Sequence, residues 1–124
     1  MERITTLPPN HIFVFGSNRL GYHRRGAALD ALNHFGAIYK QGEGLQGQSY
    51  AIPTKSSPYK SLTLQEIREH IAKFVEFAIA HPELTFHITP IGTGLAKHSI
   101  EDMKKLWHNG ERYLPNIILP PEFK

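Results

Sequence analysis

The chain contains no cysteine among its 124 residues. This absence excludes disulfide bonds, zinc sites built from thiolates and catalysis by a cysteine nucleophile. No apolar run approaches the roughly 20 residues that a membrane-spanning helix needs, and the first residues lack the apolar core of a signal peptide. The sequence therefore predicts a cytoplasmic protein with no membrane partner.

Charge is also modest in this sequence. Charged residues make up 20% of the chain and the formal net charge is +3, so composition favours an anionic partner without requiring nucleic acid. The apolar share of 40% is ordinary for a soluble globular protein. The length fits one domain, residues 1–124, that is large enough for a single core.

Strand-like and helix-like segments alternate along the chain. Strands are predicted near residues 11–15, 37–39, 48–53, 84–90 and 116–119, with loops at 40–47 and 54–62. Helices are predicted to start at Gly26, after Thr63, where Glu66 completes a capping box, and after Ser99. Such alternation implies crossover connections, so the expected class is α/β, a three-layer α/β/α sandwich with a mostly parallel, mixed sheet.

The segment from residue 11 to residue 29 carries the first functional signal. Its apolar strand ends at Gly16-Ser17-Asn18, a loop with three arginines (Arg19, Arg24 and Arg25) follows, and Gly26-Ala27 opens a helix. Free N–H groups and the positive end of a helix dipole favour a bound anion at such a place. The alternative is an ordinary strand-to-helix connection whose arginines are solvated.

Three strand exits are expected to meet, because ligands of parallel sheets bind beyond the carboxyl ends of the strands. These exits are residues 15–18, 52–55 and 89–94. Two of them are glycine loops that lead into helix starts.

Several familiar motifs fail on inspection. Residues 42–47 satisfy the dinucleotide fingerprint letter for letter, but they precede a strand and open no helix. Gly92-Thr93-Gly94 has the right context, yet Lys97 stands in place of the third glycine. Neither loop ends like a P-loop, and no serine lies in a nucleophile elbow. The eight histidines show no i, i+4 zinc pairing, so we expect neither a metal site nor a cofactor.

Gly16-Ser17-Asn18, the loop ending at Gly26, and residues 91–95 resemble the two phosphate-binding loops of macro domains. Macro domains are α/β modules that bind ADP-ribose and related nucleotides. The resemblance spans residue 11 to about residue 119 and is greatest to small bacterial and phage macro-domain-like proteins. It extends to the branch containing terminal ADP-ribose protein glycohydrolase, in which a lysine follows a Tyr-x-x-x-Thr strand, as Lys55 does here.

The resemblance implies a role for each matching residue. Lys55 would be the catalytic residue at the anomeric carbon of the distal ribose. The ligand-binding residues would be Gly16, Ser17, Asn18, Gly26, Ala27, Gly92, Thr93, Gly94, Leu95 and Ala96. Two departures leave hydrolysis open: Ala96 replaces the acid that the branch carries after Gly-Leu, and alanine at 27 or 28 replaces an aspartate of hydrolytic macro domains.

Each assignment has a plainer alternative. Asn18 could serve only to turn the chain, and Lys55 could be a solvated loop lysine. The expected ligand is ADP-ribose or a related nucleotide, free or attached to a protein or nucleic acid. The alternative function is a basic nucleic-acid-binding or interaction module, in keeping with a pI near 9.3, although aromatic residues do not interleave with the basic ones.

Overall fold

A computed structural model of the chain describes residues 4–107 and 114–124. The strands are β1 (His11–Asn18), β2 (Gly44–Gln46), β3 (Ser49–Ser57), β4 (Lys60–Ser61), β5 (Thr85–Ile88) and β6 (Ile117–Ile118). The helices are α1 (Gly26–His34), α2 (Leu64–Ala80), α3 (Ile100–Leu106) and a final 3₁₀ turn (Pro121–Phe123). No helix in this part of the chain is long and apolar enough to cross a bilayer.

The six strands form one sheet in the order β2-β3-β1-β5-β6, with β4 paired to β3 outside that path. Strand β1 runs parallel to both β3 and β5, and β5 runs parallel to β6. The short strands β2 and β4 are antiparallel to β3. The prediction of an α/β chain with a mostly parallel, mixed sheet is therefore confirmed.

Strand β1 is buried on both faces, as its unbroken apolar run predicts. Ile12 and Val14 pack in a large cluster with residues of α2 and α3. Phe13 and Phe15 point the other way, into a smaller cluster with α1. There the rings of Phe13 and Phe35 stack with centroids 4.4 Å apart.

The predicted helix starts at Gly26, after Thr63 and after Ser99 are confirmed, the last two by capping contacts. The Thr63 hydroxyl accepts from the Glu66 amide and the Glu66 carboxylate accepts from the Thr63 amide, which completes the capping box of α2. The Ser99 hydroxyl accepts from the Asp102 amide at the start of α3. Helix α1 stops just before Gly36, whose φ of 72° is the left-handed conformation of a C-terminal glycine.

Three local predictions are wrong in whole or in part. Residues 37–39 form no strand, because the Ile38 amide donates to the side chain of Gln46 rather than to a neighbouring strand. The edge strand is instead β2, inside the segment expected to be a glycine-rich loop. The loop predicted at 54–62 is a hairpin in which β3 extends to Ser57 and turns into β4.

Candidate functional site

A cavity of about 540 Å³ opens at the carboxyl edge of the sheet. This volume is typical of small-molecule sites. Its walls come from the ends of β1, β3 and β5 and from the start of α1, so the three predicted strand exits do meet. The lining consists of Gly16, Ser17, Asn18, Tyr22, Arg24, Arg25, Gly26, Ala27, Ala28, Thr54, Lys55, Pro58, Tyr59, Thr89, Pro90, Ile91, Gly92, Gly94, Leu95 and Ala96.

The structure brings the predicted site residues together with one exception. Lys55 and all the predicted ligand-binding residues except Thr93 line this cavity. The Thr93 hydroxyl donates to the carbonyl of Pro90 over 2.7 Å, and its amide donates to the same oxygen. Thr93 therefore shapes the loop from within.

The polar side chains that end β1 are occupied by the protein itself. Ser17 donates its hydroxyl to the carbonyl of Gly42. The side chain of Asn18 makes both bonds to the backbone of Tyr22: its Oδ1 accepts from the Tyr22 N–H over 3.0 Å, and its Nδ2 donates to the Tyr22 carbonyl over 3.2 Å. Asn18 thus fixes the turn of the loop, which is the plainer of the two roles given above. Ser17 and Asn18 line the cavity, but these polar atoms already have partners within the protein.

The start of α1 presents unpaired backbone donors at the cavity wall. The N-cap residue Arg25 makes no side-chain cap, and the first turn of the helix carries no acidic residue. The first amides of an α-helix have no acceptor within the helix. Gly26 has a φ of 59°, and an added Cβ there would meet no atom within 4 Å. Small residues, Gly26, Ala27 and Ala28, therefore leave the approach to these donors open.

The loop from Ile91 to His98 contributes a second set of donors. Among the described residues, the amides of Gly94, Leu95 and Ala96 donate to no protein acceptor. The loop keeps its shape through the Lys97 amide, which donates to the Gly94 carbonyl over 3.0 Å, while Lys97 itself has a left-handed φ of 63°. Backbone donors in such a turn suit an anion.

Lys55 lies near the end of β3 in the hairpin that closes one side of the cavity. Its Nζ donates to the carbonyl of Pro58 over 2.6 Å. The hairpin is tied to the glycine loop by the Ser61 hydroxyl, which donates to the Ala96 carbonyl over 2.7 Å. Lys55 and Ala96 thus lie on two linked segments of one wall.

The charges around the cavity have one sign. Arg24, Arg25 and Lys55 belong to the lining, and no carboxylate of the described residues does. Asp30 is not in the lining. Glu43 lies elsewhere too, where its carboxylate pairs with Nδ1 of His70 and with Nζ of Lys73 at 3.6 Å. The cavity is therefore suited to an anion and supplies no acid of its own.

Sequence reasoning missed part of the lining. Tyr22 and Tyr59 carry no motif signal, and Tyr59 lies at the hairpin tip with 93% of its surface exposed. From the sequence, Arg24 and Arg25 belong to a basic loop that is either solvated or suited to bind phosphate through an arginine fork, and the structure places both in the lining. Their proximity to Gly26 was the signal that could have placed them here.

Three titratable groups away from the cavity have displaced pKa values. Burial raises the pKa of Tyr50 to about 12, with a smaller contribution from Glu43. Burial, and then the neighbouring His11, lowers the pKa of His87 below 6.5. The Thr63 amide, followed by the Thr63 hydroxyl, lowers the pKa of the exposed Glu66 carboxyl.

Metal ligands do not gather in this structure. Within residues 4–107 and 114–124, no group of three or more histidine, aspartate or glutamate side chains is placed to hold an ion. Comparison of the chain with known protein families, with curated proteins and with solved structures finds no match. The functional argument therefore depends on the cavity itself.

Proposed function

We propose that this chain is a macro-domain-like α/β/α sandwich that binds ADP-ribose or a related diphosphate nucleotide in the cavity at the carboxyl edge of its sheet. One observation carries the proposal. One space is surrounded by the uncapped start of α1, by the open amides of Gly94, Leu95 and Ala96 and by three cationic side chains, and no carboxylate among residues 4–107 and 114–124 lines it. Backbone donors at a helix start and arginine side chains are favourable partners for phosphate oxygens.

Binding rather than efficient hydrolysis is the activity that we propose. A lysine attacks an anomeric carbon only as the neutral amine, and a nearby carboxylate can receive its proton during the reaction. Position 96 offers a methyl group instead, and Asp30 and Glu43 lie outside the lining. Removal of ADP-ribose from an acidic side chain is therefore expected to be slow or absent.

A ligand panel tests the proposal by thermal shift. ADP-ribose at a hundredfold excess over its Kd should stabilise the fold by about 2.7 kcal/mol, which is several degrees in Tm for a domain of this size. Ribose, which lacks the diphosphate, should give no shift. No shift from any diphosphate nucleotide at millimolar concentration would contradict the proposal.

Short oligonucleotides belong in the same panel, because a basic nucleic-acid-binding module is the alternative. Occupation of a pocket by one diphosphate should weaken only mildly as salt is raised. Contact with many phosphates gives a steep dependence on salt. A steep slope with an oligonucleotide, together with no response to ADP-ribose, would favour the alternative.

A further inference from the structure

Arg24 differs from the other cations of the cavity because two tyrosines hold its side chain. Its guanidinium carbon lies 4.5 Å from the centre of the Tyr22 ring and 5.8 Å from that of Tyr39. Its Nε donates to the Tyr39 hydroxyl over 2.7 Å. The two rings stack on each other with centroids 5.6 Å apart and planes 18° apart. An exposed arginine is thereby restrained in one position.

The restraint leaves the far end of the guanidinium available. Tyr39 takes Nε, and among the described residues no acceptor binds Nη1 or Nη2. Two adjacent N–H donors in a rigid plane match the oxygens of a carboxylate or phosphate. No described carboxylate lines the cavity, so the two Nη groups face solvent and are available to an anionic ligand. A side chain that is already fixed also loses less conformational entropy on binding.

We infer that Arg24 binds a phosphate group of the ligand through both Nη groups, with Tyr22 and Tyr39 as positioning residues. The inference rests on the proposed function and deepens it. The resemblance to macro domains assigns the diphosphate to backbone donors alone, whereas this geometry adds one pre-positioned side chain. The cavity then selects a ligand with a phosphate within reach of the loop from Tyr22 to Gly26.

Arg19 provides a matched control in the same loop. It does not line the cavity, and its Nη2 lies 3.3 Å from Nε2 of His70 and 3.5 Å from a carboxylate oxygen of Glu66. Arg19→Gln and Arg24→Gln therefore change the net charge equally. Only the second removes a donor from the cavity.

Calorimetric titration with ADP-ribose tests the role of Arg24. Because hydrogen bonds to charged groups are strong, Arg24→Gln should weaken binding by about ten- to a hundredfold. Arg24→Lys should lose nearly as much, since an ammonium cannot form the two-donor fork. Arg19→Gln should bind within about twofold of the natural protein.

A double-mutant cycle separates positioning from a general effect on the fold. Tyr39→Phe keeps the ring and removes the hydroxyl, so we expect a loss of about three- to tenfold in affinity. The same substitution in the Arg24→Gln background should cost no further affinity. An equal loss in both backgrounds would show that Tyr39 does not act through Arg24.

Pyrophosphate, as a second probe, keeps this inference distinguishable from the proposed function. If Arg24→Gln binds ADP-ribose as the natural protein does, the inference is overturned while the proposed function stands. If the natural protein binds pyrophosphate through Arg24 but binds neither ADP-ribose nor any other diphosphate nucleotide of the panel, the inference stands and the proposed function is wrong. If neither pyrophosphate nor any diphosphate nucleotide binds, both are overturned.

Discussion

Gly92 and Gly94 belong to one loop, yet substitutions at the two positions should have opposite consequences. Gly92 is buried with a φ of 78°, and an added Cβ would lie 2.7 Å from Sδ and 2.8 Å from Cε of Met103. Gly94 lines the cavity and is exposed, its φ lies outside the left-handed region, and an added Cβ would meet no atom within 4 Å. Both glycines line the cavity, but a side chain at Gly92 would disturb the fold, whereas one at Gly94 would disturb only the space for a ligand.

The expected magnitudes differ accordingly. An alanine in the left-handed region costs about 1–2 kcal/mol, and the clash with the flexible end of the Met103 side chain adds about 1 kcal/mol, the low end of an overpacking cost. Gly92→Ala should therefore lower Tm by roughly 10 °C. Gly94→Val introduces side-chain atoms only into open space, so we expect a change within about 0.5 kcal/mol, or about 2 °C.

Thermal melts with and without ADP-ribose measure both effects. Gly94→Val should keep its melting temperature without ligand and lose the ligand-induced shift, while Gly94→Ala, with its smaller side chain, should retain part of it. Gly92→Ala should melt early and still be stabilised by ADP-ribose. If a folded Gly94→Val protein binds with unchanged affinity, this loop does not hold the ligand. A Gly92→Ala protein that melts within 2 °C of the natural one would refute the argument from left-handed geometry and the Met103 contact.

Two further outcomes are expected. Ala96→Asp should raise the rate of hydrolysis of a glutamate-linked ADP-ribosyl substrate, and adding Lys55→Ala should remove that gain. If the natural protein hydrolyses this substrate efficiently and still does so after Lys55→Ala, the role given to Lys55 by the resemblance to macro domains is wrong. We expect the lowered pKa of His87 to make Tm fall between pH 7.5 and pH 5, so His87→Gln should flatten this fall. Substitution of the exposed His34 should leave the slope unchanged. Equal slopes in the natural protein and in His87→Gln would show that His87 does not cause the fall.

The sign of the pH effect follows from the lowered pKa of His87. Burial and His11 disfavour the charged imidazole in the folded state. At pH values between the folded pKa and the ordinary 6.5, the unfolded chain binds more protons than the folded one. The contribution of a neutral His87 to the free energy of unfolding is therefore fully present above pH 6.5. It declines as the pH falls below 6.5 and stops changing below the pKa of His87 in the folded state. The 2.7 Å contact between Nε2 of His87 and Nδ1 of His11, in which one nitrogen must accept, is consistent with a neutral His87.

Local rules predicted the main elements of the fold because those elements carry their own signals. The capping box of Thr63 and Glu66 fixed the start of α2, and the unbroken apolar run of β1 indicated burial on both faces. The edge strand β2 was not predicted because the glycines in and around it are typical of a loop. Its pairing with β3 is also not encoded by any local pattern. The β3–β4 hairpin was not predicted because the polar stretch that contains Pro58 is typical of a loop.

The candidate site was predictable to the extent that it consists of backbone. Strand exits and glycine loops located most of the lining, because parallel strands bring their ends to one edge. Side-chain assignments fared differently. The sequence suggested that Asn18 could turn the chain, but nothing in it indicates that Tyr39, 15 residues from Arg24, joins Tyr22 in holding that side chain. The contact between Arg24 and Tyr39 depends on how separate loops pack, which no local pattern encodes.

The short outer strands of the sheet also affect how copies of this protein meet in concentrated solution. Strand β2 has three residues and β6 has two, and Pro120 and Pro121 soon follow β6. Long unpaired strand edges allow one chain to extend the sheet of another, which is a route to fibrils and precipitates. Proline lacks the N–H that such pairing requires, and on the other side the Gly44 and Leu45 carbonyls of β2 already accept from the side-chain amides of Gln46 and Gln41. Sheet extension between copies is therefore disfavoured at both ends, which should help the protein to resist aggregation.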